Sequence, residues 1–150
     1  MTALTGTINT PGKAGEIGQQ YTCVGTYTLA GALVAADTIT WTNLFPKGKF
    51  KIVSGRVIAP ELDTNASPTG TIKIGDGTTV DAYLTETNIG LPAQAPANGY
   101  PLNIGMNGAS IGTTFGSTTS LRDVKLTVVG VMATSATTGT IRVEFVIEGV

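Results

Sequence analysis

Short segments in which apolar and polar residues alternate dominate the chain. Three such runs occupy residues 21–29, 39–45 and 140–148, and the last is the most regular. Its apolar positions are Ile141, Val143, Phe145 and Ile147, and its polar positions are Arg142, Glu144 and Glu148. Because successive side chains of a β-strand point to opposite faces of the sheet, each run predicts a strand with one face on a core.

Two further runs depart from simple alternation. In residues 50–59 the apolar phase shifts across Ser54 and Gly55, and a glycine inside a strand often marks a β-bulge. Residues 125–133 are apolar on both faces, which predicts a central strand that is covered on both sides.

Turn-forming residues separate the runs, at residues 46–48, 63–68 and 75–77. Helical spacing of apolar residues occurs only at Val80, Tyr83 and Leu84, over one or two turns. Several short strands with regular turns predict an all-β fold, a single-domain antiparallel β-sandwich. We expect it to be jelly-roll-like, with at most a short helical turn near residues 80–86.

Two segments lack the strand pattern. Residues 1–19 hold several Gly and few apolar side chains, and residues 88–120 are rich in Gly, Pro and Asn. Aperiodic stretches of such length are usually functional or mobile. We therefore expect a flexible N-terminal arm at residues 1–19, and a β-sandwich domain at residues 20–150 with a long irregular loop at residues 88–120.

Charged residues are scarce and nearly balanced. They make up 13% of the chain, against about 25% in an average globular domain, and the net charge is −1. This balance gives no field that would attract nucleic acid or an anionic membrane. The basic cluster of Lys47, Lys49 and Lys51 is interpreted as a strand edge kept from aggregating, in preference to a nucleic-acid contact.

Nothing in the sequence suggests export or a membrane anchor. Residues 1–6 have neither the basic nor the apolar region of a signal peptide. The longest apolar stretch, residues 30–36, is far shorter than the roughly 20 residues of a membrane-spanning helix. We therefore expect synthesis in the cytoplasm without secretion, and no association with a membrane.

The residue types on which most enzymes depend are missing or poorly placed. The chain has no histidine, the commonest general base. Cys23 and Trp41 lie in phase with the apolar positions of their runs, so we expect an inert buried thiol and a core indole. Glu61 and Asp63 form a close acidic pair, but no cleft is predicted between them for glycoside hydrolysis. The sequence predicts no enzyme and no small-molecule substrate.

A weak calcium candidate lies in the loops. Asp63, Asn65 and Asp76 offer the oxygen ligands that calcium prefers. The final bidentate acid and the glycine of a dedicated calcium loop are missing, and turns built on Asp and Asn explain the same residues. Residues 75–77 also lack the continuation of a phosphate-binding loop. We therefore expect no metal and no cofactor.

The middle of the chain resembles a family of phage proteins. Its motifs are Asp37-Thr38-Ile39, Leu44-Phe45-Pro46-Lys47-Gly48, Ile52-Val53-Ser54-Gly55-Arg56-Val57, Glu61-Leu62-Asp63-Thr64-Asn65, Thr71-Ile72-Lys73-Ile74-Gly75-Asp76-Gly77 and Asp81-Ala82-Tyr83-Leu84. This stretch is similar to small structural proteins of tailed bacteriophages, the capsid decoration (cement) and head-fibre proteins. The resemblance covers the middle third of the chain and, by position, the two closing strands.

The resemblance implies a capsid decoration protein that binds the outer surface of the assembled capsid, as a homotrimer, and stabilises it by bridging capsomers. Its partner would be the major capsid protein, and its location the virion exterior after synthesis in the host cytoplasm. We expect the capsid contacts to come from Leu4, Ile8 and Pro11 in the arm and from Tyr100, Leu102 and Ile104 in the loop.

Two other functions stay open. The first is a receptor- or glycan-binding module of a phage head or tail fibre, with Tyr100 and Phe115 as exposed stacking residues. The second is a small depolymerase that would depend on Glu61 or Asp63. A major capsid protein is not expected from so short a chain without long helices.

Overall fold

A computed structural model describes residues 1–10, 17–88, 100–101, 114–115 and 123–150. In these residues the chain forms two packed β-sheets and no helix, which confirms the predicted single-domain β-sandwich. The strands are β1 (Ala3–Thr5), β2 (Thr7–Asn9), β3 (Gln20–Thr28), β4 (Thr38–Trp41), β5 (Phe50–Ile58), β6 (Ile72–Gly75), β7 (Leu84–Thr87), β8 (Tyr100–Pro101), β9 (Thr114–Phe115), β10 (Val124–Val128) and β11 (Thr140–Gly149).

The strands divide between the sheets in an interleaved order. Sheet 1 has the order β1-β4-β10-β6-β7, and sheet 2 has the order β2-β3-β11-β5-β8, with β9 also paired to β5. Strand pairs are antiparallel throughout the described residues except β1 with β4, which is parallel. Since apolar faces of two sheets must cover each other, the core lies between sheet 1 and sheet 2.

Strand β11 is the centre of sheet 2 and behaves as its sequence pattern predicts. It pairs with β3 along its whole length and with β5 on its other side. Its alternate apolar side chains are completely buried, namely Ile141, Val143, Phe145 and Ile147. Phe145 packs edge-on against Phe45 and Tyr83, with ring centroids 5.0 Å away in both cases.

Strand β5 contains a bulge as predicted, but at Val53 and not at the predicted Ser54 and Gly55. Val146 of β11 lies opposite Ser54, but the next residue, Ile147, lies opposite Ile52, so Val53 is the extra residue. The buried positions of β5 shift accordingly, from Ile52 before the bulge to Val57 after it. The bulge therefore explains why the apolar phase changes inside one continuous strand.

One of two local predictions needs correction. Residues 80–86, expected to hold at most a short helical turn, form no helix: Val80 and Asp81 lie in a turn and β7 begins at Leu84, opposite Ile74. The strand predicted at residues 125–133 is central in sheet 1, but it ends at Val128. The following residues leave the sheet, so their apolar side chains do not cover a second face.

Residues 3–9 lie in the two sheets instead of extending from them. Strand β1 pairs with β4 in sheet 1, and β2 pairs with β3 in sheet 2. Gly6 stands at the crossing, where a Cβ atom would lie 2.0 Å from the Trp41 indole nitrogen. Glycine is therefore needed for the chain to pass over Trp41. The predicted arm is thus an edge strand for each sheet, and residues 11–16 lie outside the described residues.

The sandwich has two distinct ends. Three loops that connect one sheet to the other meet at the first end, which we call the Asp63 end: residues 29–37, 59–71 and 129–139. The opposite end, the Lys47 end, holds residues 42–49 and 76–83. The register fixes this arrangement, because Thr28 lies opposite Thr140, and Val124 lies opposite Trp41.

Candidate functional site

The buried carboxylate of Asp63 holds two loops of the Asp63 end together. Its side chain has no solvent exposure. The carboxylate accepts hydrogen bonds from the backbone N–H groups of Asn65 (3.3 Å), Thr69 (2.9 Å), Gly70 (3.1 Å), Ala133 (3.0 Å) and Thr134 (2.9 Å). Because these donors come from residues 59–71 and from residues 129–139, one side chain fixes the position of both loops.

The Asp63 carboxyl is charged despite its burial. Burial alone would raise its pKa, but the N–H groups of Thr134, Thr69, Ala133 and Gly70 together hold the pKa well below the ordinary value of an aspartate. Hydrogen bonds to the ionised form favour that form. The backbone N–H groups around the two oxygens offset the cost of burying the charge. Asp63 is therefore suited to a structural role.

The carboxylate of Asp37 holds the third loop of the same end in place in a similar way. It is almost fully buried and accepts hydrogen bonds from the N–H groups of Thr2 (2.6 Å) and Val34 (3.0 Å). The Val34 hydrogen bond lowers the pKa of Asp37 most, against the opposing effect of burial. This carboxylate therefore ties residues 29–37 to the start of the chain.

The structure does not bring the calcium candidates together. Asp63 lies at one end of the sandwich, whereas Asp76 follows β6 at the other end and accepts hydrogen bonds from the N–H groups of Thr78 and Thr79. The Asn65 side-chain oxygen accepts a hydrogen bond from the N–H of Ser67 at 2.8 Å. Across the described residues, no three His, Cys, Asp or Glu side chains form a group that could hold a metal ion. All three candidates instead stabilise turns.

The possible catalytic residues are separated in the same way. Glu61 is exposed, whereas the neighbouring Asp63 is buried and its oxygens already accept hydrogen bonds. Cys23 is buried in the core, and Thr10 donates a hydrogen bond to its sulfur at 3.0 Å. Burial raises the pKa of the thiol to about 11, although the Thr10 hydrogen bond opposes this. A neutral buried thiol is a poor nucleophile.

Trp41 is a core residue, as its phase predicts. Its side chain has no solvent exposure, and its indole N–H donates to the carbonyl of Thr26 at 3.0 Å. The glycines Gly6 and Gly25 leave the space that the ring occupies, since a Cβ atom at Gly25 would lie 2.7 Å from it. The indole therefore has no face available for stacking on a sugar.

The outer face of sheet 2 carries charges that neutralise one another. Glu144 accepts hydrogen bonds from Arg56 and, at 2.6 Å, from Arg142, and Lys51 pairs with Glu148 at 2.8 Å. Burial alone would raise the pKa of Glu144. The hydrogen bonds and charges of Arg56 and Arg142 outweigh this effect, so the pKa lies below the ordinary value of a glutamate. A shallow depression of about 470 Å³ lies beside Glu144, lined by Thr22, Ser54, Gly55, Arg56 and Val146.

The interpretation of the lysine cluster as a strand edge is wrong. Lys51 belongs to β5, which pairs with β11 on one side and with β8 and β9 on the other, so β5 is not an edge strand. Lys47 and Lys49 are exposed in the loop before β5. The opposite charges of Lys51 and Glu148 are the sequence signal that could have predicted their pairing on neighbouring strands. The two residues lie directly opposite each other in the register of β5 and β11.

The six expected contact residues are dispersed. Leu4 packs partly against the core, and Ile8 in β2 points outward with 38% exposure. The backbone of Tyr100 pairs with Val57, and its side chain is outside the described part of the structure. Pro11, Leu102 and Ile104 lie outside the described residues as well. No single surface formed by these six residues is therefore described.

Among the described residues, no helix is long and apolar enough to cross a membrane.

Comparison with known proteins relates the fold to phage capsids. No protein-family model matches the sequence, and no curated protein matches it. The structure is similar to a chain in the capsid asymmetric unit of cyanophage Pam1, with a TM-score of 0.71 and 23% identity over 91% of this chain and 89% of that chain. It is also similar to a chain in the capsid of Ralstonia phage GP4, with a TM-score of 0.67 and 20% identity over 89% of this chain and 86% of that chain. At these identities the likeness shows a shared β-sandwich fold.

Proposed function

We propose that the chain is a structural protein of a phage virion, and specifically a capsid decoration (cement) protein. It binds the outer surface of the assembled capsid as a homotrimer and stabilises the shell by bridging capsomers. The observation that carries this proposal is the near full-length likeness of the fold to chains in two phage capsids. The sequence resemblance to decoration and head-fibre proteins, found independently of the structure, supports the same assignment.

The motifs behind the sequence resemblance have a structural meaning that fits the proposal. Asp63 in the Glu61–Asn65 motif is the buried carboxylate that joins two loops, and Asp76 in the Thr71–Gly77 motif closes a turn. The motifs thus specify a rigid sandwich. A rigid scaffold is what a protein needs if its function is to hold neighbouring subunits at fixed positions.

Trimeric binding would let modest contacts add up. Three contacts on one rigid trimer bind with a high effective concentration, and a trimer at a three-fold position matches the symmetry of its site. A protein that binds the assembled lattice and not loose subunits stabilises the assembly by mass action. The charge balance of the chain fits such crowding, since a net charge of −1 causes little repulsion between copies.

The copy number of this protein in purified particles of the phage that encodes it tests the proposal. Quantitative mass spectrometry with the major capsid protein as reference should give a ratio near one, or a simple fraction of it. A few copies per particle would favour the alternative, a receptor- or glycan-binding module of a head or tail fibre. Absence from the particles would overturn a virion role altogether.

A further inference from the structure

A groove runs across the strands on the outer face of sheet 2. Its floor is a row of short side chains on three neighbouring strands, since Val146 of β11 lies opposite Thr22 of β3 and opposite Ser54 of β5. These side chains point outward, because the neighbours of Val146 along β11, Phe145 and Ile147, are buried in the core. The row of short side chains therefore leaves room above the sheet.

Longer polar side chains form the two walls of the groove. One wall is the row of Glu144 and Arg56. The other wall is the row of Gln20, Glu148 and Lys51. The depression of about 470 Å³ beside Glu144 is part of this feature, which we call the sheet 2 groove. Its volume lies within the range of about 300–1,000 Å³ that is usual for sites of small ligands.

The polar side chains of both walls are held in place by their partners. Glu144 accepts a hydrogen bond from Arg56. Glu148 pairs with Lys51 at 2.8 Å and accepts a hydrogen bond from Gln20 at 3.2 Å. The Lys51 bond, followed by the Gln20 bond, lowers the pKa of Glu148 against the opposing effect of burial. Side chains that are fixed before a ligand binds lose little conformational entropy on binding.

The groove offers both hydrogen-bond donors and hydrogen-bond acceptors, with little net charge. The hydroxyls of Thr22 and Ser54 are donors and acceptors at once. The carboxylate of Glu144 has acceptor positions beyond those that Arg56 and Arg142 occupy. A metal cation is disfavoured because the two arginines neutralise Glu144, and a phosphate is disfavoured by the carboxylate itself. A neutral ligand with many hydroxyl groups fits such a surface.

The floor of the groove also has an apolar part. The Val146 side chain lines the depression, and the C–H groups of a sugar ring can pack against it. Among the described residues, no aromatic ring lines the depression. Binding would then depend on hydrogen bonds to groups that water also solvates, so we expect a dissociation constant of about 1 mM or weaker for a single site.

We infer that the sheet 2 groove binds a neutral saccharide chain, whose hydroxyl groups bond to the walls and the floor while one ring face packs on Val146. The inference goes beyond the proposed function. A protein that is present in many copies on a shell would turn weak single contacts into firm attachment to any surface that displays the saccharide. The test uses the full-length chain without capsids, so the inference and the proposed function can fail separately.

The first experiment searches for the saccharide. The protein is displayed in several copies on fluorescent beads, so that weak binding is detected, and is applied to a microarray of neutral and acidic glycans. Polysaccharides from the envelope of the host bacterium are included on the array. A neutral glycan that binds is then titrated against isotope-labelled protein and followed by NMR. We expect the largest shifts at the amide signals of Thr22, Ser54 and Gly55.

The second experiment compares two pairs of substitutions. Thr22→Val combined with Ser54→Ala removes both hydroxyls from the floor, and we expect binding at least about fivefold weaker. The matched control, Thr40→Val combined with Thr127→Val, removes two hydroxyls from the outer face of sheet 1 and should bind like the wild type. Circular dichroism checks the fold. If the first variant does not fold, Val146→Lys replaces it, because a long side chain on the floor fills the groove.

Three results would overturn the inference. If no glycan on the array binds, the groove is not a saccharide site, whereas the copy number in particles and with it the proposed function stay unaffected. If the wild type and the groove variant bind a glycan equally well, the binding site lies elsewhere. If only acidic glycans bind, and binding is lost at about 1 M salt, where the screening length is about 3 Å, the contact is a charge attraction and the ligand is not a neutral saccharide.

Discussion

At the scale of single residues, the clearest consequence of the structure concerns Asp63. We expect Asp63→Asn to lower the melting temperature by on the order of 10 °C, because an amide nitrogen would face backbone N–H donors that now meet an acceptor. Asp76→Asn is the matched control, since the N–H groups of Thr78 and Thr79 both donate to the same oxygen of Asp76, which an amide oxygen can replace. Equal losses in the two variants would contradict a special role of Asp63.

The same residue predicts a dependence of stability on pH. The folded state lowers the pKa of Asp63, so its ionised form stabilises the fold at pH values above the ordinary aspartate pKa of about 3.9. This contribution is lost as the pH falls from there toward the lower pKa of the folded state. Urea denaturation between about pH 5 and pH 2 should show a steeper loss of stability in the wild type than in Asp63→Asn. Parallel curves would contradict the prediction.

Gly6 gives a third prediction at this scale. Gly6→Ala would place a methyl group in the Trp41 ring, and we expect a loss of about 2 kcal/mol in the free energy of unfolding. Gly31→Ala is the control, because a Cβ atom there meets no other atom within 4 Å, and it should change stability by less than about 0.5 kcal/mol. Urea denaturation followed by fluorescence of the single tryptophan measures both. A stable Gly6→Ala would mean that the strands cross elsewhere.

At the scale of elements, the N-terminal strands decide whether the arm can be removed. Deletion of residues 2–9 should cost roughly 3 kcal/mol of stability, because it takes one strand from each sheet, removes the Leu4 packing and uncovers Trp41. The tryptophan emission should shift to longer wavelength at the same time. An Ile8→Thr substitution, on the outward face of β2, is the control and should leave both quantities nearly unchanged. A stable deletion variant with unshifted emission would contradict the pairing of β1 and β2.

Elements whose alternation spans many residues were predictable from the sequence. Strand β11 and the bulge of β5 follow directly from the spacing of Phe145, Ile147, Ile52 and Val57. Short elements were not predictable in this way. Residues 3–9 contain too few apolar side chains to signal a strand, and their place depends on β4 and β3, which are distant in the sequence. The helical spacing at residues 80–86 was too short to outweigh pairing with β6.

The candidate site was less predictable than the fold. The sequence indicated Asp63 only as a weak calcium ligand. Its structural role depends on backbone N–H groups from residues 129–139, which are distant in the sequence. Spacing rules also overlook the absence of charged residues in residues 17–36 and 126–141. A long uncharged stretch predicts either a buried segment or a contact surface, and only the structure shows that Val34 and Val131 are exposed.

At the scale of the whole molecule, a bridging protein must change the stability of the particle and not only bind to it. We assume that each copy binds the assembled lattice and does not bind free capsid subunits. A free protein concentration of about 100 times the dissociation constant then stabilises each site by roughly 2.7 kcal/mol. Capsids without the protein should therefore rupture at a lower temperature than decorated ones, and added protein should raise that temperature until all sites are filled.

Release of DNA, followed with an intercalating dye during heating, measures the rupture. If the wild type fills its sites and the temperature does not move, the protein decorates the shell without bridging capsomers. The two results can differ because attachment and bridging need different numbers of capsid subunits in contact with one trimer.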